Sequence, residues 1–599
     1  MARGQEPLLA QDQASSDGDV EEEDALLTGQ HKSQTNRKYG WPFWREVGVF
    51  AWALIATAAV IIIAVMYQHQ QSTHPNNNGG WKNGKPSGKR NMIFMVSDGM
   101  GPTSLSLTRS FRQIQSGLSP SDVLVLDRHL IGSSRTRSAS SLITDSAAGA
   151  TAFSCGFKSY NGAISVLPDH SPCGTVLEAA KKAGYMTGLV VTTRITDATP
   201  ACFAAHVNMR AEEDKIAEQE IGNNPLGRVV DLMLGGGRCH FLPNTADGSC
   251  RADDKDVVAM AKDNGFSYVD NRKGFDGLTL GSEVKLPLLG LFAGGDIPYE
   301  VDRRNMNDVY PSLEEMARTA LSALSIATRD SDKGFFLMIE GSRIDHAGHG
   351  NDPVAQAHEV LAYDKAFTSV LEFLEKDPVQ GVVVSTSDHE TGGLATARQL
   401  HTTYPEYLWY PAVLANASHS GENLAYQLRN HLASNPSDST DDTKSYIKQT
   451  LLEEGLGVHD ATDEEINSLI DNSEPWPASY IFADIISRRA QVGWSTHGHS
   501  AVDVNIYASR PKDARPLRGN HDNTEVGNFI RDYLGVDLEP ITKELKEKGA
   551  LFDTLTEDGS TQSWMGKPVP DENNLDHMDH YHGDFKRSLK LEHGRTHVH

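Results

Sequence analysis

The chain predicts a large α/β domain with a mostly parallel central sheet and helices on both faces. Three observations point there. Segments with apolar residues at helical spacing alternate with short apolar runs bounded by Gly, Pro and Asp, the mark of βαβ units. The most reactive side chains fall just after those runs, where open α/β sheets bind ligands. At 599 residues the chain is also long enough for a sizeable single core.

Asn91–Val96 is the first predicted strand and leads into Ser97-Asp98-Gly99-Met100-Gly101. The stretch Thr144-Asp145-Ser146-Ala147-Ala148-Gly149-Ala150-Thr151-Ala152 opens a helix of small residues with Ser146 at its start. Helix starts present unpaired N–H groups, which hold anions and favour an ionised hydroxyl. Thr175–Ala183 is a helix closed by Gly184, followed by the strand Thr187–Thr192 and then Asp197-Ala198-Thr199-Pro200. Ser312 and Glu315 form a capping box for a helix with Leu313, Met316, Ala320, Leu321 and Leu324 on one face. The strand Phe335–Ile339 runs into Glu340, Asp345, His346 and His349. Asp352-Pro353 starts a long helix, since Asp caps and Pro suits the first helical position. Val382–Val384 is a short buried strand ahead of Ser387-Asp388-His389-Glu390. From about 392 to 491 the pattern turns helical, with Gly421–Leu432 and Thr443–Leu452 as helices of a cap-like insertion. Thr496-His497-Gly498-His499-Ser500-Ala501 then precedes the strand-like Val502–Tyr507.

Outside this body, expected over 91–551, the chain changes character. Residues 1–47 are polar and acidic, with Glu22-Glu23-Asp24-Ala25-Leu26-Leu27 resembling an acidic dileucine sorting signal for a cytosolic adaptor. Residues 48–67 form an uncharged run long enough to span a bilayer. Lys32, Arg37, Lys38 and Arg45 before it put the N-terminus in the cytosol and the bulk in a lumen or outside the cell. Residues 68–90 read as a stalk, and 552–599 as a disordered His-rich tail. Asn416-Ala417-Ser418 is a glycosylation acceptor pattern, usable in a lumen. Of five cysteines, Cys239 and Cys250 bracket a turn-rich loop and make the best disulfide pair. Cys155, Cys173 and Cys202 read as small buried hydrophobes, with room for one further bridge. A net charge of −25 argues against a nucleic-acid partner and leaves an anionic substrate in need of strong local cations.

Five Asp/His/Glu clusters at strand edges, with no imidazole base evident beside Ser146, suggest phosphoryl transfer at metal ions. Imidazole with carboxylate suits zinc; all-oxygen sets suit magnesium. Two divalent cations about 4 Å apart can stabilise the entering and leaving oxygens of an in-line displacement. On these motifs the chain resembles the alkaline phosphatases, most of all the membrane-anchored vacuolar forms of fungi. Asp231-Leu232-Met233-Leu234-Gly235-Gly236-Gly237 and Leu289-Gly290-Leu291-Phe292 extend the likeness.

The resemblance implies a three-layer α/β/α sandwich, two Zn2+ and one Mg2+ per subunit, a homodimer, and hydrolysis of a broad range of phosphate monoesters through a phosphoserine at Ser146. It implies Asp345, His349 and His499 as ligands of one zinc, and Asp98, Asp388 and His389 as ligands of the other. Asp98 would also bridge to a magnesium held by Thr199 and Glu340, with Asp197 orienting waters on that ion. Arg210 resembles the phosphate clamp, held by Asp145. His497 and His499 compete for the last zinc position; the spacing to the following strand favours His499 and leaves His497 behind it. His346 either shapes the phosphate pocket or packs. Sulfatases and phosphodiesterases are the near rivals: Ser146 lacks the Cys/Ser-x-Pro-x-Arg context of the first, and diesterases usually carry a Thr nucleophile. An inactive tethered binding protein would show a degraded site, and every expected ligand type is present here.

Overall fold

The structure, a computed structural model, describes Trp52, Ala56, Thr57 and residues 88–402, 407–555 and 561–567. The chain divides into residues 1–78 and 79–599. Of the first unit only Trp52, Ala56 and Thr57 are described, all helical, so the predicted anchor, cytosolic segment and sorting signal lie otherwise outside the described residues. Among the described residues no helix is long and apolar enough to cross a membrane.

The second unit is built on a sheet of ten strands: β1 (Arg90–Val96), β2 (Leu130–Arg135), β3 (Met186–Arg194), β4 (Leu232–Gly236), β5 (Ser267–Val269), β6 (Leu288–Leu291), β7 (Phe335–Glu340), β8 (Gln380–Thr386), β11 (Val504–Ala508) and β12 (Gly519–Asp522). Two short strands, β9 (Glu390–Thr391) and β10 (His499–Ser500), pair separately. The order across the large sheet is β12-β2-β11-β8-β1-β7-β3-β4-β6-β5. Only β11 runs against its neighbours. Helices cover both faces, as the alternating pattern requires. Along β1, Met92, Phe94 and Val96 enter one apolar core while Ile93 and Met95 enter another, which is the period-two alternation of a strand buried on both sides.

The helix starts follow the predicted caps. Thr175 and Glu178 close a capping box over Val176–Lys182, and Ser312 and Glu315 do the same over Leu313–Ala327. Asp352 caps Pro353–Lys376 by accepting from Val354 N and Ala355 N. The insertion holds helices Gly421–Ser434, Asp463–Asp471 and Pro475–Ala490, whose apolar residues share one core with Leu107, Phe111, Val301 and Val354 of the body. The helix Thr440–Tyr446 runs on as a π-helix over Ile447–Gly455, past the predicted end at Leu452.

Two boundaries move. Arg90 is not stalk: it begins β1, and its Nη2 donates to Leu534 O at 2.8 Å. The folded body does not stop at 551. Thr554–Leu555 pairs with Thr561–Gln562, Trp564 is buried, and Asn208 N donates to Met565 O at 2.8 Å. A low apolar count hid this segment because a single tryptophan docks it. Cys239 is joined to Cys250 and Cys155 to Cys173; Cys202 is free and buried.

Candidate metal and phosphate site

The sheet order explains why distant residues meet. The strands β8, β1, β7 and β3 lie side by side and parallel, so their carboxyl ends bring four loops together. These loops carry Asp388 and His389, Asp98, Glu340 with Asp345, and Asp197 with Thr199. The β9–β10 pair then sets His499 opposite Thr391, two residues after His389. Ser146 starts the helix Ser146–Cys155, with Asp145 as its cap accepting from Ala148 N at 2.9 Å.

One cluster joins Asp345, His349 and His499. His349 Nε2 lies 3.3 Å from Asp345 Oδ2, and His499 Nε2 lies 3.5 Å from Asp345 Oδ1 and 3.1 Å from His349 Nε2. Asp345 and His349 share a face because they are four apart on the helix Arg343–His349. The other ring nitrogens of both histidines face carbonyls, which can only accept: His499 Nδ1 meets Thr144 O at 2.8 Å and His349 Nδ1 meets His497 O. The Nδ1 atoms therefore carry protons, and both Nε2 atoms converge on one carboxylate and on each other, a donor set that suits a cation.

The second cluster centres on His389. Its Nε2 lies 3.0 Å from Ser146 Oγ, 3.2 Å from Asp388 Oδ2 and 3.6 Å from Asp98 Oδ1. The hydroxyl of Thr391 donates to Asp345 Oδ1 at 2.5 Å and lies 3.2 Å from His389 Nδ1, so it accepts from that nitrogen. Nε2 thus faces three oxygens, and although burial works against it, Asp388 raises the His389 pKa above its ordinary value. An imidazole thus does reach Ser146, which no local motif reveals because 243 residues separate the two. Asp98 Oδ1, Asp388 Oδ2 and Thr199 Oγ1 are buried and accept no hydrogen bond. Orphaned oxygens of this kind mark the places where cations fit.

Electrostatics agree. Burial, then Asp388, Asp345 and Glu340, push the Asp98 carboxyl well above its usual range. Glu340 is pushed to about 8 by burial, then by Asp197 and Asp388. His499 is held down to about 3 by burial and by His389, so it is neutral, as a ligand must be. Like charges packed out of water require positive partners, and the donor set is that of zinc and magnesium sites. Cys239, His240 and Cys250 also converge, but the disulfide between the cysteines removes both as ligands.

Arg210 lies between two carboxylates, with Nη2 2.8 Å from Asp197 Oδ1 and Nη1 3.6 Å from Asp145 Oδ2. Asp197 is thus the nearer holder of the guanidinium, and it also meets Arg194 Nη2 at 3.2 Å. Although burial works against it, Arg194 and Arg210 hold Asp197 far below the usual carboxylate range. His497 stays outside the cluster, its Nδ1 2.8 Å from His349 O and its ring 4.0 Å from that of Tyr480. His346 also stays out, beside Asp296 and Arg343. Thr391, Ser342, whose hydroxyl donates to Glu340 Oε2 at 2.5 Å, and Arg194 escaped the sequence reading. Ser342 lies two residues from Glu340, Arg194 three from Asp197 and Thr391 two from His389, spacings too common to single them out.

A parallel sheet flanked by helices, with buried carboxylate and imidazole sets at its strand ends, defines a metal-dependent enzyme. The chain belongs to the alkaline phosphatase family, which matches over residues 89–536. It is 54% identical over 478 residues to the repressible alkaline phosphatase of Saccharomyces cerevisiae, covering 77% of this chain and 84% of that protein. Against the alkaline phosphatase of Schizosaccharomyces pombe it is 46% identical over 531 residues, covering 88% and 94%. The crystal structure of Thermus thermophilus alkaline phosphatase superposes with a TM-score of 0.63 at 28% identity, covering 79% of this chain and 99% of that one. Enzymes of this family are metal-dependent phosphoric monoester hydrolases, and phosphate monoesters are the substrates that fit the chain.

Proposed function

We propose that the reaction passes through a phosphoserine on Ser146. The observation that carries this is that a helix start and His389 Nε2, at 3.0 Å, meet at one buried hydroxyl, with the orphaned oxygens Asp98 Oδ1 and Asp388 Oδ2 beside that nitrogen. Asp345, His349 and His499 would hold one Zn2+, Asp98, Asp388 and His389 a second, and Asp98, Thr199 and Glu340 a Mg2+. Bound there, the cations supply charge that lowers the hydroxyl's pKa and stabilises the entering and leaving oxygens. Arg210 binds two non-bridging phosphate oxygens through its fork. Ser146 Oγ bonds to phosphorus as the ester P–O bond breaks, and the alcohol leaves with a proton. Water then splits the phosphoserine, returning the hydroxyl and releasing inorganic phosphate. No residue of this set grips the alcohol, so the substrate range is broad.

The setting belongs to the same reading. A span at 48–67 anchors the protein with its N-terminus in the cytosol, where the dileucine segment meets a sorting adaptor. The catalytic body works as a homodimer in the vacuolar lumen, or at the cell surface as the alternative. Two disulfides in a body of this size support an oxidising compartment. Ser146→Ala is expected to abolish labelling by phosphate and to cut turnover by at least about a thousandfold. A labelled serine surviving in that variant overturns the assignment. Chelation is expected to silence the enzyme, and zinc with magnesium to restore it; indifference to chelation removes the metal scheme.

A further inference from the structure

The phosphate clamp is tied to the helical insertion by a continuous run of charged and polar side chains. Arg210 is fixed chiefly by Asp197 Oδ1, which also accepts from Ala198 N at 2.7 Å. Asp197 Oδ2 is taken by Arg194, and all three guanidinium nitrogens of Arg194 are spent on carboxylates: Nη2 on Asp197 at 3.2 Å, Nη1 on Asp296 at 2.9 Å and Nε on Glu213 at 2.9 Å. Asp296 Oδ1 also accepts from Arg194 N at 3.0 Å, so backbone and side chain of this residue are held together. Asp296 Oδ2 lies 3.5 Å from His346 Nδ1, which in turn lies 3.4 Å from Arg343 Nε. Arg343 is buried; its guanidinium lies 3.7 Å over the Tyr299 ring, donates to Ile297 O at 3.1 Å, and meets Glu422 Oε2 at 2.9 Å. Glu422 sits in the first turn of Gly421–Ser434, the first long helix of the insertion.

We propose that Arg194 and Asp296 are positioning residues that set the phosphate-binding guanidinium of Arg210, and that Glu422 of the insertion, through Arg343, steadies them. This rests on the reading of Arg210 as the phosphate clamp. On either side of the neutral His346 opposite charges alternate, and most are out of water, so removing one leaves a buried neighbour uncompensated and free to re-pair. The nearest ion to suffer is Asp197, whose alternatives to Arg194 are to swing toward Arg210 or away from it. A fork that grips two phosphate oxygens tolerates little of either: a displacement of about 1 Å at a binding group costs on the order of a hundredfold.

The test uses the full-length enzyme loaded with zinc and magnesium, with inorganic phosphate as the probe. Arg194→Gln and Asp296→Asn are each expected to raise the phosphate inhibition constant and KM at least about tenfold, to lower kcat less, and to leave zinc content unchanged. Because both act on one network, the double variant is expected to be little worse than either single one. Arg194→Lys, which keeps the charge but loses the fork, recovers part of the affinity. Inhibition constants within twofold of the unmodified enzyme, or losses that add fully in the double variant, overturn the proposal. If the core variants prove insoluble, the half-exposed Glu422→Gln decides. A rise of about threefold or more in the inhibition constant without loss of zinc supports the network, and an unchanged constant rejects it. Arg210→Ala tests the underlying reading separately: it is expected to raise the phosphate inhibition constant more than either single variant, and an unchanged constant there removes the clamp itself.

Discussion

Gly99 shows how a single residue controls whether the site can assemble. Its φ is +75°, a conformation that side-chain-bearing residues adopt at a cost of roughly 1–2 kcal/mol. A Cβ there would also sit 2.5 Å from Asp345 Cα and 2.8 Å from Thr391 Oγ1. Backbone cannot yield as a flexible side chain can, so Gly99→Ala must push the Asp98 loop away from the helix Arg343–His349. The expected result is less zinc per purified chain and a lower thermal midpoint; full zinc content with an unchanged midpoint contradicts it. At this scale the sequence revealed much. Asp98, Asp388, His389, Asp345 and His349 were legible because carboxylate and imidazole gather where strands end, and few purely structural roles place them there. Arg194, Asp296 and Thr391 were not: Arg194 stands three residues from Asp197 and Thr391 two from His389, spacings too common to signal anything, and the contacts with Asp296 and Asp345 are tertiary. The contact of His389 with Ser146 was missed for the same reason.

Among elements, the joint between the insertion and the body carries the clearest consequence. Asp352 caps the helix Pro353–Lys376 with Oδ1, while its Oδ2 accepts from Gly421 N at 2.7 Å, the start of an insertion helix. Asp302 takes the neighbouring Ser420 N at 3.3 Å and His419 Nδ1 at 2.9 Å. One carboxylate therefore ends two helices at once. Asp352→Ala removes a cap worth about 0.5–2 kcal/mol and leaves a buried N–H unsatisfied at about 1–3 kcal/mol. Hydrogen exchange is expected to quicken at the start of Gly421–Ser434 while β1, β7 and β8 keep their protection. Uniform loss of protection across the sheet counts against a local joint. Asp352-Pro353 announced the first of these helices from sequence alone, because capping is a local rule. Its hold on Gly421, 69 residues away, is tertiary and was invisible. Trp564 is a parallel case: local composition around it is that of a tail, and only its docking beside His206 and Gln219 reveals folded chain.

For the molecule as a whole, the fully buried pair His206–Glu178 ties stability to pH. His206 Nε2 meets Glu178 Oε1 at 2.8 Å and its Nδ1 meets Ser165 O at 3.0 Å. Both partners are acceptors, so the ring satisfies them together only as the imidazolium. Burial disfavours that charge, yet Glu178 and the Ser165 carbonyl outweigh it and raise the His206 pKa above its ordinary value. Glu178 also completes the capping box at Thr175, with Oε2 accepting from Thr175 N at 2.9 Å. The pair thereby links the loop after Ala198–Ala204 to the helix Val176–Lys182. A folded-state pKa above the unfolded one, about 6.5 for His, means the native state binds the extra proton. The stabilisation is therefore complete below about pH 6.5 and is lost as pH rises through the higher folded value. His206→Gln keeps the size and one donor but cannot charge. Its thermal midpoint, at saturating zinc and magnesium, is expected to fall most below the unmodified enzyme's near pH 6, with the gap narrowing as the solution turns alkaline. A gap that stays constant across the range, or widens toward alkaline pH, shows that the ring is neutral in the fold and that one of its two acceptors is satisfied in another way.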